Sequence, residues 1–177
     1  VIAVSAGMAD DVLRCYPDID AARLHVVHNG IDTDEYRPTA DRSVLEEHDI
    51  DLDRPLVIFV GRITRQKGLP YLLRAAHRFD SDAQLVVLAS AADTPEIADE
   101  VEEEIHALQE EREGVYWIRR MVPKPELIQL FSAATVFVCP SIYDPMGIVN
   151  LEAMACETAV VATRTGGISE VDADADT

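Results

Sequence analysis

The sequence predicts an α/β fold with a doubly wound parallel sheet. Segment 56–60, LVIFV, is apolar without interruption, as are strands of parallel sheets that are covered on both faces. Strand-like and helical patterns then alternate along the chain, which is typical of βαβ units. A chain of 177 residues that is 48% hydrophobic is long enough for one well-buried domain.

The elements follow from apolar spacing and from helix-starting residues. The first apolar run leads into a helix for which Ser5 is the expected N-cap, and 24–28 is expected to be a short strand before a turn. The acidic stretch 39–53 is expected to hold one exposed helix. The remaining segments are predicted as strands at 56–60, 85–88, 115–118, 135–138 and 159–162, and as helices at 69–79, 95–112, 125–133 and 147–155.

The charge balance is strongly acidic. The formal net charge is −18, and 13 of the 15 basic residues are arginine. An acidic surface with few lysines is typical of proteins kept soluble in concentrated salt, so we expect a halophilic source. Nucleic acid and anionic membranes would be repelled. No signal peptide opens the chain and no apolar run approaches bilayer length, so the expected location is the cytoplasm.

The sequence predicts neither a disulfide nor a metal site. Cys15, Cys139 and Cys156 have no metal-binding spacing and are expected to be reduced thiols. His25 and His28 lie three apart in a predicted strand, so they point to opposite faces and cannot chelate one ion.

Two cations follow the apolar strand 56–60. Arg62 and Lys67 lie in a loop between Gly61 and Gly68, at the edge where open α/β sheets bind ligands. A guanidinium holds two phosphate oxygens in its planar fork, and an ammonium adds a mobile point charge. The alternative is a surface loop that happens to be basic.

A second strand, loop and helix start lie at 135–155. Asp144 in the loop and Glu152 in the helix bracket the turn, so both carboxylates can face one crevice. We expect Arg62 and Lys67 to meet these two acids across the mouth of that crevice. Gly147 allows a ligand to approach the backbone closely at the helix start. Asp144 precedes Pro145, so its alternative role is that of a turn residue.

These motifs resemble those of a known family. The pattern Asp144-Pro-x-Gly, followed by Glu152-Ala-Met-Ala, and the pattern Gly61-Arg-x4-Lys-Gly are similar to the donor-binding signatures of retaining GT-B glycosyltransferases of the glycogen-synthase-like family. The amino-acid sequence of 140–156 most resembles that of bacterial-type glycogen synthases. Two departures are Asp144, where the family usually has Glu, and 157–159, where Gly-Thr-Pro is usual.

The resemblance implies roles for individual residues. The diphosphate would be stabilised by Arg62 and Lys67, the sugar hydroxyls would bind Asp144, and the ribose would bind Glu152. Segment 117–121 resembles the loop near the base, although Trp117 at a strand end is also a typical core residue. The implied catalytic residues are Arg62, Lys67 and Asp144, and the implied donor-binding residues are Gly61, Met121, Met146, Gly147, Ile148 and Glu152, with backbone N–H groups of 146–148 facing sugar and phosphate.

The resemblance also implies an activity and a division of the chain. Residues 1–23 are expected to be a remnant of the amino-terminal half of the enzyme, and 24–177 a nucleotide-sugar-binding domain that is truncated at its end. The implied reaction transfers glucose from ADP-glucose or UDP-glucose to an α-1,4-glucan, without a metal, and the acceptor would bind the missing half. Sucrose-phosphate, trehalose or lipid-linked mannosyl transfer, and a non-catalytic nucleotide-binding module, remain alternatives.

Overall fold

The computed structural model describes residues 1–171. It contains seven strands: β1 Ile2–Ala3, β2 His25–Val26, β3 Leu56–Val60, β4 Gln84–Leu88, β5 Val115–Ile118, β6 Val136–Cys139 and β7 Ala159–Ala162. It contains seven α-helices: α1 Ala6–Cys15, α2 Ser43–Glu47, α3 Leu69–Ala76, α4 Pro95–Glu111, α5 Lys124–Ala133, α6 Ile148–Ala155 and α7 Ile168–Val171. Two 3-10 turns cover Ala21–Arg23 and Arg65–Lys67. The expected truncated end of the domain at 177 lies outside the described residues.

The main sheet is parallel and has five strands in the order β5-β4-β3-β6-β7. The chain starts in the middle at β3, proceeds outward to β5, and then returns to the other side of β3 at β6. The direction of winding therefore changes between β3 and β6, which is the position where open α/β sheets bind ligands. The predicted doubly wound fold is confirmed.

The inner strands β3 and β4 are buried on both faces. Successive side chains of a strand point to opposite sides, and helices cover each side. Ile58, Val86 and Phe137 belong to the core cluster under α2, α5 and α6. Phe59 and Val87 belong to the second cluster, under α3 and α4. This two-sided cover explains why β3 lacks polar residues.

The stretch 39–53 differs from the expectation. Its helix, α2, is five residues long and only partly exposed: Ser43, Glu46 and Glu47 are exposed, whereas Val44 and Leu45 are buried at 2% and 0% exposure. Gln129 of α5 fixes its start by accepting hydrogen bonds from the Val44 N–H and the Ser43 hydroxyl. The structure differs from the expectation because two adjacent apolar residues, Val44 and Leu45, are enough to anchor one helical turn in the core.

The amino-terminal segment forms its own small sheet. β1 pairs in parallel with β2, apart from the five-stranded sheet. Ser5 caps α1 as predicted, because its side chain accepts the Met8 N–H at 3.0 Å. Among residues 1–171, no helix combines the length and apolarity that crossing a bilayer requires.

Candidate functional site

The loops after β3 and β6 are bonded to each other at the change in winding. The Ile142 N–H donates to the Gln66 carbonyl at 2.8 Å, and the Gln66 side-chain amide donates to the Tyr143 carbonyl at 3.0 Å. Gly68 has φ +68°, and a Cβ there would lie 1.9 Å from the Pro140 carbonyl oxygen. The two loops therefore behave as one unit, and glycine is required at 68.

Lys67 and Asp144 meet across this junction. Lys67 Nζ donates to Asp144 Oδ2 at 2.6 Å, and the Lys67 and Asp144 side chains are 26% and 10% exposed. Thr64 fixes the approach of the lysine, because its hydroxyl caps the 3-10 turn by accepting the Lys67 N–H at 3.1 Å. Burial alone would raise the pKa of Asp144, but the hydrogen bond and charge of Lys67 and the backbone N–H groups of 146 and 147 lower it below its usual value.

The same carboxylate closes the turn before α6. Asp144 Oδ1 accepts the Gly147 N–H at 2.8 Å and the Met146 N–H at 3.3 Å. The backbone N–H groups of 146 and 147 were expected to face sugar and phosphate. In the structure they donate to Asp144, because an aspartate before proline closes an Asx turn. Ile148 is 38% exposed, whereas the Met146 side chain is buried and its sulfur accepts the Asn29 N–H. The turn role and the site role of Asp144 are thus compatible.

Arg62 does not join this pair. Its guanidinium donates to Asp93 Oδ1 at 3.1 Å, and both side chains are largely exposed. Asp93 lies within reach because the loop after β4 is bridged to the loop after β3 at Ile63 and Ala92. The expected meeting of Arg62 with the carboxylates in one cleft is therefore not what the contacts show.

A hollow of about 240 Å³ lies beside Arg62 at the carboxyl ends of β3, β4 and β5. Its lining includes Gly61, Arg62 and Met121, three of the predicted residues. Met121 is 86% exposed. Trp117, in contrast, packs against the core and donates to the Ala89 carbonyl, as its alternative interpretation expected. A wider groove of about 620 Å³ between 35–41 and α5 is lined by none of the predicted residues.

Glu152 lies on α6 and is partly buried. Desolvation raises its pKa, and the hydrogen bond from the Tyr36 hydroxyl opposes this shift. Tyr36 itself is buried, and burial together with Glu152 raises its pKa. Tyr36 was not predicted from the sequence, although an aromatic residue shortly after the Asn29-Gly30 turn was the available signal.

Arg65 and the three cysteines contribute no side chain to the Lys67–Asp144 contact. Arg65 pairs with Glu100 of α4 and takes no part in the Lys67 contact. Cys139 and Cys156 are buried free thiols, and Cys15 is an exposed one. Within residues 1–171, no group of three or more His, Cys, Asp and Glu side chains is arranged to hold a metal ion.

Comparison with known proteins gives the family. A profile described as glycosyl transferases group 1 matches residues 42–177, which include both loops of the site. The chain belongs to this family. The GT-B part of the resemblance is therefore confirmed as the carboxyl-terminal domain of a group 1 glycosyltransferase.

Individual relatives refine this assignment. The chain is 60% identical to α-maltose-1-phosphate synthase of Mycolicibacterium smegmatis over 98% of its own length and 46% of that protein. It is 28% identical to the structure of sucrose-phosphate synthase of Thermosynechococcus elongatus, with a TM-score of 0.77 over 96% of this chain and 42% of that one. The catalytic domain of starch synthase IV of Arabidopsis thaliana, bound to ADP and acarbose, has the same fold at a TM-score of 0.84 and 23% identity, over 100% of this chain and 42% of that one.

The chain spans less than half the length of these relatives. Of these three proteins, the 60% identical one is named for making α-maltose 1-phosphate, whereas a glycogen synthase makes glycogen. The narrower expectation of a bacterial-type glycogen synthase is therefore replaced by group 1 membership.

Proposed function

We propose that this chain is the donor-binding half of a retaining glucosyltransferase that uses a nucleoside diphosphate glucose. The observation that carries the proposal is the Lys67–Asp144 pair, placed where the winding of the sheet changes in a group 1 glycosyltransferase domain. Ligands bind at that position in open α/β sheets. Sugar transfer leaves negative charge on the departing diphosphate, and a fixed cation at that place stabilises it.

Lys67 can serve Asp144 and a phosphate at once. An ammonium has three N–H donors, and the bond to Asp144 takes one. Asp144, held by Lys67 and the Gly147 N–H, would then accept a hydrogen bond from a hydroxyl of the donor sugar with its remaining lone pairs. Its side chain is one methylene shorter than the usual glutamate of the family, so the sugar would sit closer to the loop backbone.

The nucleotide would lie along the carboxyl edge of the sheet. Arg62 would exchange Asp93 for the diphosphate, and the hollow that Gly61 and Met121 line would take the base. Glu152 would accept the ribose hydroxyls, as acidic residues do in other nucleotide-binding folds. The bond from Tyr36 leaves carboxylate lone pairs for this contact.

The product is proposed to be α-maltose 1-phosphate, after the 60% identical relative. Maltose contains two α-1,4-linked glucosyl units, so one transfer that forms its 1-phosphate uses glucose 1-phosphate as acceptor. Extension of an α-1,4-glucan is the second candidate, because 140–156 resembles the glycogen synthase motif. The acceptor would bind outside this chain.

We further propose a division of labour along the chain. The amino-terminal segment would belong with the other half of the enzyme, and the pairing of β2 with β1 favours a boundary after β2 rather than at residue 23. The remaining domain would bind the donor in the cytoplasm, without metal, membrane or nucleic acid. Alone, the 177-residue chain is expected to show negligible transfer.

Calorimetry with the 177-residue chain tests donor binding. ADP-glucose and UDP-glucose are titrated separately in 1 M KCl, against the parent and against Lys67→Ala. We expect binding of one donor by the parent and a loss of at least about tenfold in affinity in the variant, because one charge-assisted contact is worth roughly 1.5–3 kcal/mol.

Arg65→Ala is the matched control for this titration. It removes a cation from the same 3-10 turn, but one that pairs with Glu100 instead of Asp144. Its affinity should equal that of the parent. Absence of binding of both nucleotide sugars by the parent would overturn the proposed donor site. Acceptor choice is then tested in the longer enzyme by supplying glucose 1-phosphate and glycogen separately and identifying the product.

A further inference from the structure

The start of α1 is bonded to the loop that carries Asp144. Ser5 is fully buried and donates its hydroxyl to the Pro145 carbonyl at 2.6 Å. The Ser5 hydroxyl oxygen also accepts the Met8 N–H at 3.0 Å. A hydroxyl has one donor and two acceptor sites, so one side chain caps the helix and holds the loop.

Glu170 completes this junction from α7. Its two carboxylate oxygens accept the N–H groups of Ala6 and Gly7, each at 2.9 Å, and His28 Nε2 lies 3.0 Å from Oε2. The backbone N–H groups of Ala6 and Gly7 lower the pKa of Glu170. A carboxylate at the amino end of a helix is also favoured by the helix dipole.

Glycines bring the backbones of this junction into direct contact. A Cβ on Gly166 would lie 2.1 Å from the Asp144 carbonyl oxygen, and a Cβ on Gly167 would lie 2.2 Å from that of Pro145. The Gly167 N–H donates to the Asp144 carbonyl at 3.0 Å. The backbone on both sides of the Asp144–Pro145 bond is therefore fixed by residues that come from α1 and from the turn before α7.

We propose that Ser5 and Glu170 are positioning residues that hold the Asp144 loop in the geometry in which its carboxylate meets Lys67 and the donor sugar. The inference rests on the proposed function, since it assigns these residues an effect on sugar recognition. Ser5 acts on the loop directly through Pro145, and Glu170 acts by holding the first turn of α1 on which Ser5 lies. Arg62 follows β3, and Glu152 lies in the second turn of α6, so we expect both nucleotide contacts to change less than Asp144 when this junction is loosened.

The test compares a nucleotide sugar with the nucleotide alone. ADP-glucose and ADP, or the uridine pair if the parent binds that base, are titrated against the 177-residue chain and against Ser5→Ala and Glu170→Gln. Both variants should weaken binding of the nucleotide sugar about three- to tenfold and change binding of the diphosphate less than twofold. Asp10→Asn, at an exposed carboxylate on the same helix, is the matched control and should change neither.

A cycle with Asp144→Asn separates positioning from general stability. If Ser5 acts through Asp144, then Ser5→Ala in the Asp144→Asn background should cause no further loss of sugar-dependent affinity. An equal loss for sugar and diphosphate, or additive losses in the cycle, would overturn the inference. Glu170→Gln keeps one acceptor oxygen, so it decides the matter if Ser5→Ala does not fold.

The parent titrations distinguish the two levels of the argument. A parent that binds nucleotide sugar more tightly than diphosphate, with both variants unaltered, supports the proposed function and refutes the positioning role. A parent that binds both ligands equally refutes the positioning role and leaves a nucleotide site. A parent that binds neither refutes both.

Discussion

Replacing Lys67 by methionine should destabilise the domain and change the way its stability depends on pH. Methionine keeps much of the length of the lysine stem but removes the ammonium that donates to Asp144 at 2.6 Å. The Asp144 carboxylate, 10% exposed, would then be left with two backbone N–H donors and no counter-charge.

The magnitude follows from burial and from the charge on both partners. A hydrogen bond between charged groups contributes roughly 1.5–3 kcal/mol, and the 26% exposure of the Lys67 side chain reduces this through solvent screening. We expect a loss of about 1–2 kcal/mol at pH 7. For a domain of this size, that corresponds to a fall in Tm of roughly 3–6 °C.

The loss should shrink as the pH falls. Because the pKa of Asp144 is lowered in the folded protein, its contribution is present above the unfolded value of about 3.9 and is lost as the pH falls through the folded value. Without Lys67, burial raises the pKa of Asp144, so this acid-sensitive contribution is absent from the variant. Thermal unfolding at pH 7 and at pH values below 4 should therefore show the two proteins converging.

Arg65→Met is the control, because it removes an exposed cation from the same turn. It should cost less than about 1 kcal/mol at any pH. A Lys67→Met deficit that is as large at pH 3.5 as at pH 7, or that Arg65→Met reproduces, would refute the argument that the Asp144 pair stabilises this junction.

Three further outcomes can be measured on the same chain. Glu152→Gln should weaken ADP or UDP binding about tenfold in calorimetry while leaving Tm at pH 7 unchanged or higher, because burial raises the pKa of Glu152 and its ionised form costs stability once the pH exceeds that value; a lower Tm would contradict this. Gly68→Ala should cost more than about 2 kcal/mol in thermal unfolding, since φ is +68° and the Cβ would lie 1.9 Å from the Pro140 oxygen, whereas Gly30→Ala, with nothing within 4 Å, should cost less than about 0.5 kcal/mol. Raising KCl from 0.05 to 2 M should raise Tm, because salt screens the repulsion within a chain of net charge −18; a flat or falling Tm would remove the argument for adaptation to high salt.

The inner strands of the sheet were predictable because they are covered on both faces. Such strands are almost entirely apolar, as in β3, so they stand out in the sequence, and the predicted strands of this sheet agree with the structure to within about one residue. The meeting of Lys67 and Asp144 was predictable for a related reason. Both residues lie in loops that follow neighbouring strands of a parallel sheet, β3 and β6, whose carboxyl ends share one edge.

Contacts between loops were not predictable in the same way. Arg62 pairs with Asp93 because of a bridge between Ile63 and Ala92, which lie in two irregular segments whose approach no local pattern records. Tyr36 reaches Glu152 across a long sequence separation. The burial of α2 was missed because its five residues are too few to show a helical period.

The two cations of the proposed donor site, Lys67 and Arg62, differ in how easily they can leave their carboxylate partners. Asp93 is largely exposed, so its pair with Arg62 is worth at most about 1 kcal/mol and a diphosphate can replace it at little cost. Asp144 is buried, and removing its counter-charge would leave a buried carboxylate without one, at the larger cost of about 1–2 kcal/mol. In the proposed complex, Lys67 would bind phosphate without releasing Asp144, which its three donors allow, whereas Arg62 would turn its whole fork to two phosphate oxygens. Exchanging the two residue types should for this reason impair donor binding, although the net charge of the site would stay the same.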